Sequence, residues 1–202
     1  MLEPVDAGDP LDERRAALVE FAIRATPTVL HGPELSAKAA AALDLGVTPE
    51  QLHEALVFVS GIGLHSVIEG TRRIGELCAE RDAAVATRSL DGERQALLDE
   101  YVDPSMARFE AAVPGFFETL VRLSPVAFEG FFAYRSLPWQ EPQLDPLTKE
   151  LMAIAVDAVP SHRFLPTLRL HVERAIELGA GRTQILSTLE LAATAPDHPG
   201  VA

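Results

Sequence analysis

The chain has 202 residues, of which 48% are hydrophobic and 23% are charged, and its formal net charge is −13 at pH 7. This composition is typical of a globular protein that buries its own core without disulfide or metal staples. The negative charge, with no run of lysines and arginines, argues against nucleic acids and anionic membranes as partners. One cysteine, Cys78, excludes an intrachain disulfide. The N-terminus lacks the regions of a signal peptide, so we expect a cytoplasmic protein.

The first predicted elements are helices, because apolar residues recur at helical spacing, as at Leu18, Phe21 and Ala25. A further helix start is marked at residues 48–51 by the sequence Thr-Pro-Glu-Gln, which combines a capping box with proline at the first helical position. The most apolar stretch, residues 55–68, is about 14 residues long, whereas a membrane span needs roughly 20. We therefore expect no membrane span there.

The middle of the chain, residues 71–143, carries most of the aromatic residues. The spacing predicts a helix over 90–101 and a second over 106–123, which Pro114-Gly115 interrupts. A third helix starts at Ser124-Pro125, and a loop is predicted at 137–142. Stacked aromatic residues of this kind are typical of a core or a subunit interface, and a substrate pocket is the alternative.

The last predicted helices repeat the first ones. Asp145-Pro146 is an N-cap followed by proline at the first helical position. When Leu11 is placed on Leu144, residues 11–69 align without a gap with residues 144–202 and share 14 identical positions. The matches include prolines, glycines and a histidine. Prolines and glycines mark helix ends and special backbone positions, so the average composition of the chain does not explain their agreement. We therefore predict a tandem helical repeat, and this alignment is called the repeat alignment below.

Three ranges follow from this pattern. We assign 1–75 to the first helical repeat, 76–143 to connecting helices that pack in part with the second repeat, and 144–202 to the core of the second repeat. Neither copy can bury a full apolar face alone, so we expect the copies to pair and the chains to form a homo-oligomer.

Two stretches of the second copy carry a family pattern. Residues 144–156 form one helix, and residues 167–180 form a second that contains His171, Ala175 and Gly179-Ala180. These helices resemble those of the carboxymuconolactone decarboxylase / alkylhydroperoxidase D-like family. The resemblance implies an all-α fold, a duplicated helical-bundle repeat of that type, and a dimer or trimer.

The redox motif of that family is absent. In thiol-active members the second helix begins with Cys-x-x-Cys-x-x-x-His, and if His171 is the histidine, then Phe164 and Thr167 occupy the two cysteine positions. A helix N-terminus makes a thiol reactive by lowering its pKa, and a second thiol resolves the oxidised first one. Cys78 lies outside the motif. We therefore predict no thiol-peroxidase activity.

The decarboxylase branch of the family has Glu-x-x-x-His on its second helix. Here the first copy has Glu34 with Lys38, and the second has Thr167 with His171, so the pattern is divided between the copies. The family's glutamate on the first helix is matched by Glu150. The resemblance thus makes His171 and Glu150 the catalytic candidates, with His171 transferring a proton and Glu150 orienting or protonating it.

Each candidate also has a structural interpretation. His171 could be a packed, hydrogen-bonded histidine, and Glu150 a first-turn glutamate that favours the helix dipole. Glu34 and Lys38 have the i, i+4 spacing of a surface ion pair, worth about 0.2–0.5 kcal/mol. In a pocket, Lys38 would instead bind a substrate carboxylate or act as a desolvated base. His31, which precedes a glycine and a proline, is either structural or a second group that binds an anion.

His65 and Thr167 complete the candidate substrate-binding set. His65 and His198 are equivalent under the repeat, but two histidines so far apart, without local acidic partners, do not predict a metal site. We expect no metal and no cofactor.

Two functional hypotheses remain. The first is a cofactor-independent acid–base enzyme, decarboxylase- or isomerase-like, that acts on a small organic acid or lactone. The second is a non-catalytic oligomeric module for binding or assembly that keeps the same fold.

Overall fold

The computed structural model describes residues 1–83, 86 and 89–200, and every regular element in these residues is helical. The helices, numbered in chain order, are α1 Glu13–Ala25, α2 Gly32–Asp44, α3 Pro49–Ser60, α4 Leu64–Glu80, α5 Gly92–Tyr101, α6 Ala107–Ala112, α7 Phe116–Leu123, α8 Pro125–Gln140, α9 Pro146–Ala158, α10 Leu165–Glu177 and α11 Arg182–Ala193. Short 3-10 turns lie at Gly61–Gly63 and Pro104–Met106.

The described residues form two compact units. Met1–Ile62 and Pro138–Ala202 form one, called here the repeat unit, and Gly63–Leu137 form the other, the middle unit. This division differs from the three predicted ranges, because both predicted repeats share one unit and the first ends at Ile62. The repeat unit has a continuous apolar core contributed by both ends of the chain.

Helix bounds in the repeat unit follow the repeat alignment. The alignment pairs the first residues of α1, α2 and α3 with the first residues of α9, α10 and α11, in that order. It pairs the last residues of these helices in the same way. The turns agree as well, since Leu30 and Arg163 have positive φ values of 31° and 51°. Gly46 and Gly179, with φ of 81° and 93°, follow the second helix of each copy in the left-handed conformation that glycine adopts most easily. The alignment therefore relates backbone conformation as well as sequence.

Helix α9 is the central element of the repeat unit. All of its residues from Thr148 to Asp157 are buried, and it packs against α1, α10 and α11. Where it meets α1, the Arg15 Nε atom donates to the Thr148 Oγ1 atom over 3.1 Å. Arg15 and Thr148 are equivalent under the repeat alignment, so the two helices meet at corresponding positions.

A buried ion pair joins α3 to α9. The Lys149 Nζ atom lies 2.7 Å from the Glu54 Oε1 atom, and the two side chains are 4% and 2% exposed. Lys149 also donates to the backbone carbonyls of Pro138 at 2.8 Å and Glu141 at 2.6 Å. The other Glu54 oxygen accepts from the backbone N–H groups of residues 143–144. Both charges are thus compensated by charge and by hydrogen bonds.

The N-terminal segment caps α11. The backbone carbonyls of Asp6 and Ala7 accept from the N–H groups of Arg182 and Thr183, at 2.8 and 2.9 Å. These N–H groups belong to the first turn of the helix and would otherwise lack a partner within it. A Cβ atom at Gly181 would lie 2.5 Å from the Ala7 carbonyl oxygen, so this close approach requires glycine.

Aromatic rings form the centre of the middle unit. Phe116 and Phe131 meet edge to face with ring centroids 4.9 Å apart, and Phe116, Phe117 and Phe128 are almost fully buried. This arrangement matches the interpretation of the aromatic residues as core. The predicted helix over 106–123 is divided at Gly115, which has a φ of 74°.

The loop predicted at 137–142 begins later than expected. Helix α8 runs to Gln140 with Pro138 inside its last turn. The ring of Trp139 packs edge to face on Phe58 with centroids 5.4 Å apart, and the Pro138 carbonyl accepts from Lys149. These tertiary contacts favour a helical turn here, although the local sequence favours a loop.

One helical run is longer than the apolar stretch at 55–68. Pro49–Glu80 has 32 residues and a mean hydropathy of 1.2 in its most apolar window, of which 33% is buried. By length and composition alone it passes as a membrane span, because the 3-10 turn joins α3 and α4 end to end. Core helices of soluble proteins pass the same test. The buried Glu54 in this run is paired with Lys149, which suits a protein interior.

Replacing Lys149 with methionine should reduce the free energy of unfolding by about 3–5 kcal/mol, because Glu54 would remain buried without its cation. Lys38→Met is the matched control, since Lys38 is paired with Glu20 but both side chains are more than a quarter exposed. The control should cost less than about 1 kcal/mol. Both variants are measured by urea unfolding. Equal losses of unfolding free energy in the two variants would contradict the expected extra cost of breaking the buried pair.

Candidate functional site

Helices α9 and α10 bring Glu150 and His171 together. Glu150 lies in the first turns of α9, and His171 lies in the middle of α10. The His171 Nδ1 atom is 2.7 Å from the Glu150 Oε2 atom, and the two side chains are 24% and 6% exposed. A buried carboxylate thus holds a partly exposed imidazole.

This contact favours one tautomer of the His171 ring. An ionised carboxylate only accepts hydrogen bonds, so the neutral His171 ring carries its proton on Nδ1 and donates it to Glu150. The Nε2 atom is then the basic nitrogen. The carboxylate also stabilises the imidazolium that forms when Nε2 takes up a proton.

Asp157 is a second buried carboxylate on the same helix. It lies two helical turns after Glu150 and is 1% exposed. The Thr167 Oγ1 atom donates to the Asp157 Oδ2 atom over 2.5 Å. Burial raises the pKa of Asp157 to about 6, and the charge of His171 and the Thr167 hydrogen bond only partly offset this effect. A carboxyl group with this pKa changes its charge close to neutral pH.

His162 lies on the other side of Asp157, in the turn between α9 and α10. A ring nitrogen of His162 is within 4.8 Å of an Asp157 carboxylate oxygen. Burial lowers the pKa of His162, so its ring is neutral at pH 7. The ring stacks on Phe164 with centroids 5.9 Å apart, and the Phe164 N–H donates to the Asp157 carbonyl over 3.0 Å.

Glu34, Lys38 and His31 lie in the first copy, in a different set of contacts. Glu34 Oε2 accepts from Arg24 Nε at 3.1 Å, and Lys38 Nζ donates to Glu20 Oε1 at 2.8 Å. The surface pair between Glu34 and Lys38 that the spacing suggested is therefore replaced by pairs that each residue makes with α1. His31 is the N-cap of α2, and its Nδ1 atom accepts from the Glu34 N–H at 3.2 Å.

The structure thus sorts the predicted site residues into groups. His171, Glu150 and Thr167 line the facing sides of α9 and α10. Glu34, Lys38 and His31 lie around α1 and α2, at the corresponding place in the first copy. His65 lies in α4 of the middle unit, partly buried.

Comparisons with known proteins found a matching family and a similar solved structure. The sequence model of the carboxymuconolactone decarboxylase family matches residues 125–201, a range that holds Glu150, Asp157 and His171. A crystal structure from Burkholderia xenovorans LB400, provisionally named a gamma-carboxymuconolactone decarboxylase subunit, is 32% identical with a TM-score of 0.75. The alignment covers 91% of this chain and 72% of that chain. The chain belongs to the carboxymuconolactone decarboxylase family.

This assignment confirms the resemblance drawn from residues 144–180 and the all-helical fold that it implied. No curated protein sequence matches this chain. The family model covers the second copy and the helix before it, so the Glu150–His171 pair lies in the part of this carboxymuconolactone decarboxylase family member that carries the family pattern.

Sequence reasoning missed Asp157 and His162. Asp157 interrupts an apolar run, and it lies on the same helix face as Glu150 because the two positions are two helical turns apart. This spacing could have revealed it. His162 is in a turn, where periodicity gives no orientation, so only the folded structure places it beside Asp157.

Asp157 should make the protein less stable as the pH rises. The pKa of the Asp157 carboxyl group is raised from 3.8 to about 6 in the folded state. Its contribution to the free energy of unfolding is therefore fully present below pH 3.8 and is lost as the pH rises through 6. The rise corresponds to about 3 kcal/mol. Asp157→Asn keeps an acceptor for Thr167 and should gain about that much free energy of unfolding over wild type between pH 4 and pH 7.

Urea unfolding of both proteins at pH 4, 5, 6 and 7 measures this difference. Asp44→Asn, which removes an exposed carboxyl group at the end of α2, is the control for the loss of one acidic residue. A stability difference between wild type and Asp157→Asn that stays constant over this pH range would contradict the prediction.

Proposed function

We propose that this protein is a cofactor-independent acid–base enzyme, decarboxylase- or isomerase-like, that acts on a small organic acid or lactone. His171 is the proton-transfer group and Glu150 is its positioning residue. The contact that carries this proposal is the 2.7 Å distance between the His171 Nδ1 atom and the buried Glu150 carboxylate. The family membership supports the reaction class.

The geometry supports proton transfer at His171 Nε2. As a base, this nitrogen would remove a proton from the carbon next to a carbonyl group, leaving the electron pair on an enolate. Return of that proton to another carbon completes an isomerisation. In a decarboxylation the imidazolium would instead protonate the carbon whose bond to the departing carbon dioxide breaks.

Asp157 would support the same step from a distance. Its charge interacts with His171, so an ionised Asp157 stabilises the imidazolium. The hydrogen bond from Thr167 favours one orientation of this carboxyl group, and a ring nitrogen of His162 lies within 4.8 Å of it. With two carboxyl groups near one imidazole, the protonated ring is stabilised.

The same arrangement weighs against a non-catalytic module. A carboxylate that is 6% exposed and paired with a histidine that remains 24% exposed resembles a built acid–base site more than a solvated surface pair. Phe164 stacks on the His162 ring, and His171 keeps its partial exposure.

We also propose that the chains assemble as a dimer or trimer. The related Burkholderia protein is named a subunit. Large apolar side chains on the surface of this chain, such as Val126 at 79% and Leu165 at 52% exposed, would be covered by such contacts.

His171→Ala should reduce kcat/KM by about 10²–10⁴-fold, the usual contribution of a positioned acid–base group. Candidate substrates come from a thermal-shift screen of lactones, 2-oxo acids and unsaturated dicarboxylates, in which a ligand at 100 times its Kd adds about 2.7 kcal/mol of stability. Glu150→Gln should retain substrate binding and change the pH dependence of kcat, because the imidazolium loses its charged partner.

His53→Ala is the matched control, since His53 is an exposed histidine of α3 in the same unit. It should leave the rate unchanged. Full activity of His171→Ala would remove this residue from the mechanism. If no ligand in the screen stabilises the protein, and wild type and variant are both folded, the result favours the hypothesis of a non-catalytic binding module.

Hydroperoxide reduction should be undetectable with the wild-type protein under thiol-reducing conditions. The α10 positions that carry thiols in peroxidase members are occupied by Phe164 and Thr167, and neither can form a sulfenic acid or a disulfide. Cys78→Ser is the control for chemistry at the single cysteine, which is partly buried. Turnover that persists in Cys78→Ser would overturn the prediction.

A further inference from the structure

The first copy carries basic side chains at two of the positions that form the acid–base site in the second copy. In the repeat alignment, Arg24 corresponds to Asp157, and Lys38 corresponds to His171. Both first-copy residues are basic. The helices that hold them, α1 and α2, have the same bounds relative to each other as α9 and α10. The same backbone framework thus presents a different chemistry.

Arg24 is a buried arginine with a donor group that is not satisfied. Its side chain is 8% exposed, and its Nε atom donates to Glu34. The buried Nη1 atom has no hydrogen-bond partner among the residues that the structure describes. A buried charged donor without an acceptor costs more than a neutral one, for which the penalty is about 1–3 kcal/mol. An ordered water molecule or a bound ion is one explanation for such a group.

Two more unsatisfied groups lie close to Arg24 in the chain. The buried Oγ1 atoms of Thr26 and Thr28 likewise have no hydrogen-bond partner in the described part of the chain. The turn is held in a fixed conformation, because the His31 N–H donates to the Arg24 carbonyl at 3.0 Å and the Leu30 N–H donates to the Thr26 carbonyl at 2.8 Å. Three unsatisfied donors therefore belong to one short, ordered segment.

We propose that this segment binds a small oxyanion, a carboxylate or a phosphate group, in a site separate from the acid–base site. The guanidinium of Arg24 would donate from Nη1, and the hydroxyl groups of Thr26 and Thr28 would complete the coordination. One water molecule accepts only two hydrogen bonds, whereas an oxyanion has several acceptor oxygens and prefers arginine.

The charges near this site indicate a weak affinity. Arg24 and Lys38 are balanced by Glu34 and Glu20, so the site has no large net positive charge. Helix α1 also ends here, and its carbonyl end disfavours an anion. Binding therefore depends on directional hydrogen bonds, and removal of a single donor should be measurable.

The test is calorimetric titration of the full chain with sodium acetate and, separately, with inorganic phosphate. Arg24→Lys keeps the positive charge for Glu34 but lacks the Nη1 donor, and it should weaken binding about tenfold or more. Thr26→Val has nearly the same shape and removes one hydroxyl group. It should also weaken binding while leaving the fold intact, since the lost hydroxyl has no hydrogen-bond partner among the described residues.

Arg174→Lys, in an exposed pair with Glu177, is the matched control and should bind like wild type. His171→Ala should also bind like wild type, which separates this proposal from the catalytic one. If Arg24→Lys fails to fold by circular dichroism, Thr26→Val decides. Heat from only one of the two anions identifies the bound group. No heat from either anion, or unchanged binding in both site variants, overturns the proposal.

Discussion

A buried ion pair determines how the repeat unit is arranged. Lys149 and Glu54 are buried, and such a pair is best tolerated when further hydrogen bonds stabilise the two charges. The backbone of residues 138–144 supplies those partners, so this segment, α3 and the start of α9 are held together. The neighbouring Glu150 points about 100° around the helix from Lys149. The same helical turn thus anchors the core with one residue and offers a carboxylate to α10 with the next.

The two copies show how one backbone framework supports different chemistry. Corresponding helices have the same bounds, and corresponding turns have positive φ values at the same positions, so the backbone positions are retained between the copies. At two of these positions the second copy has Asp157 and His171 and the first has Arg24 and Lys38. The result is a carboxyl–imidazole cluster in one copy and ion pairs in the other. In the repeat alignment the backbone framework is thus shared, while the side chains at these two positions differ in charge.

Much of this fold could be predicted from local signals, and the errors occurred where distant contacts decide. The helix starts at Thr48 and Asp145 could be predicted from sequence because proline and a capping side chain act within one helical turn. The burial of Lys149 was not readable, since lysine is seldom buried and its partner Glu54 lies far away in sequence. The same applies to Lys38, which pairs with Glu20 of the neighbouring helix and not with Glu34, its neighbour in sequence.

The candidate site depends on burial as much as on residue identity. Glu150 and His171 were predicted from the family pattern, but Asp157 becomes important only because burial brings its pKa to about 6, close to the ordinary value for histidine. Because Asp157 interacts electrostatically with His171, the charge of one group affects the protonation of the other. In thiol-active relatives the start of the second helix activates cysteine. Here Thr167 occupies that place and binds Asp157. The facing helices are retained, but neither thiol position carries a thiol, so the reactive groups that these helices bring together are carboxyl groups and an imidazole.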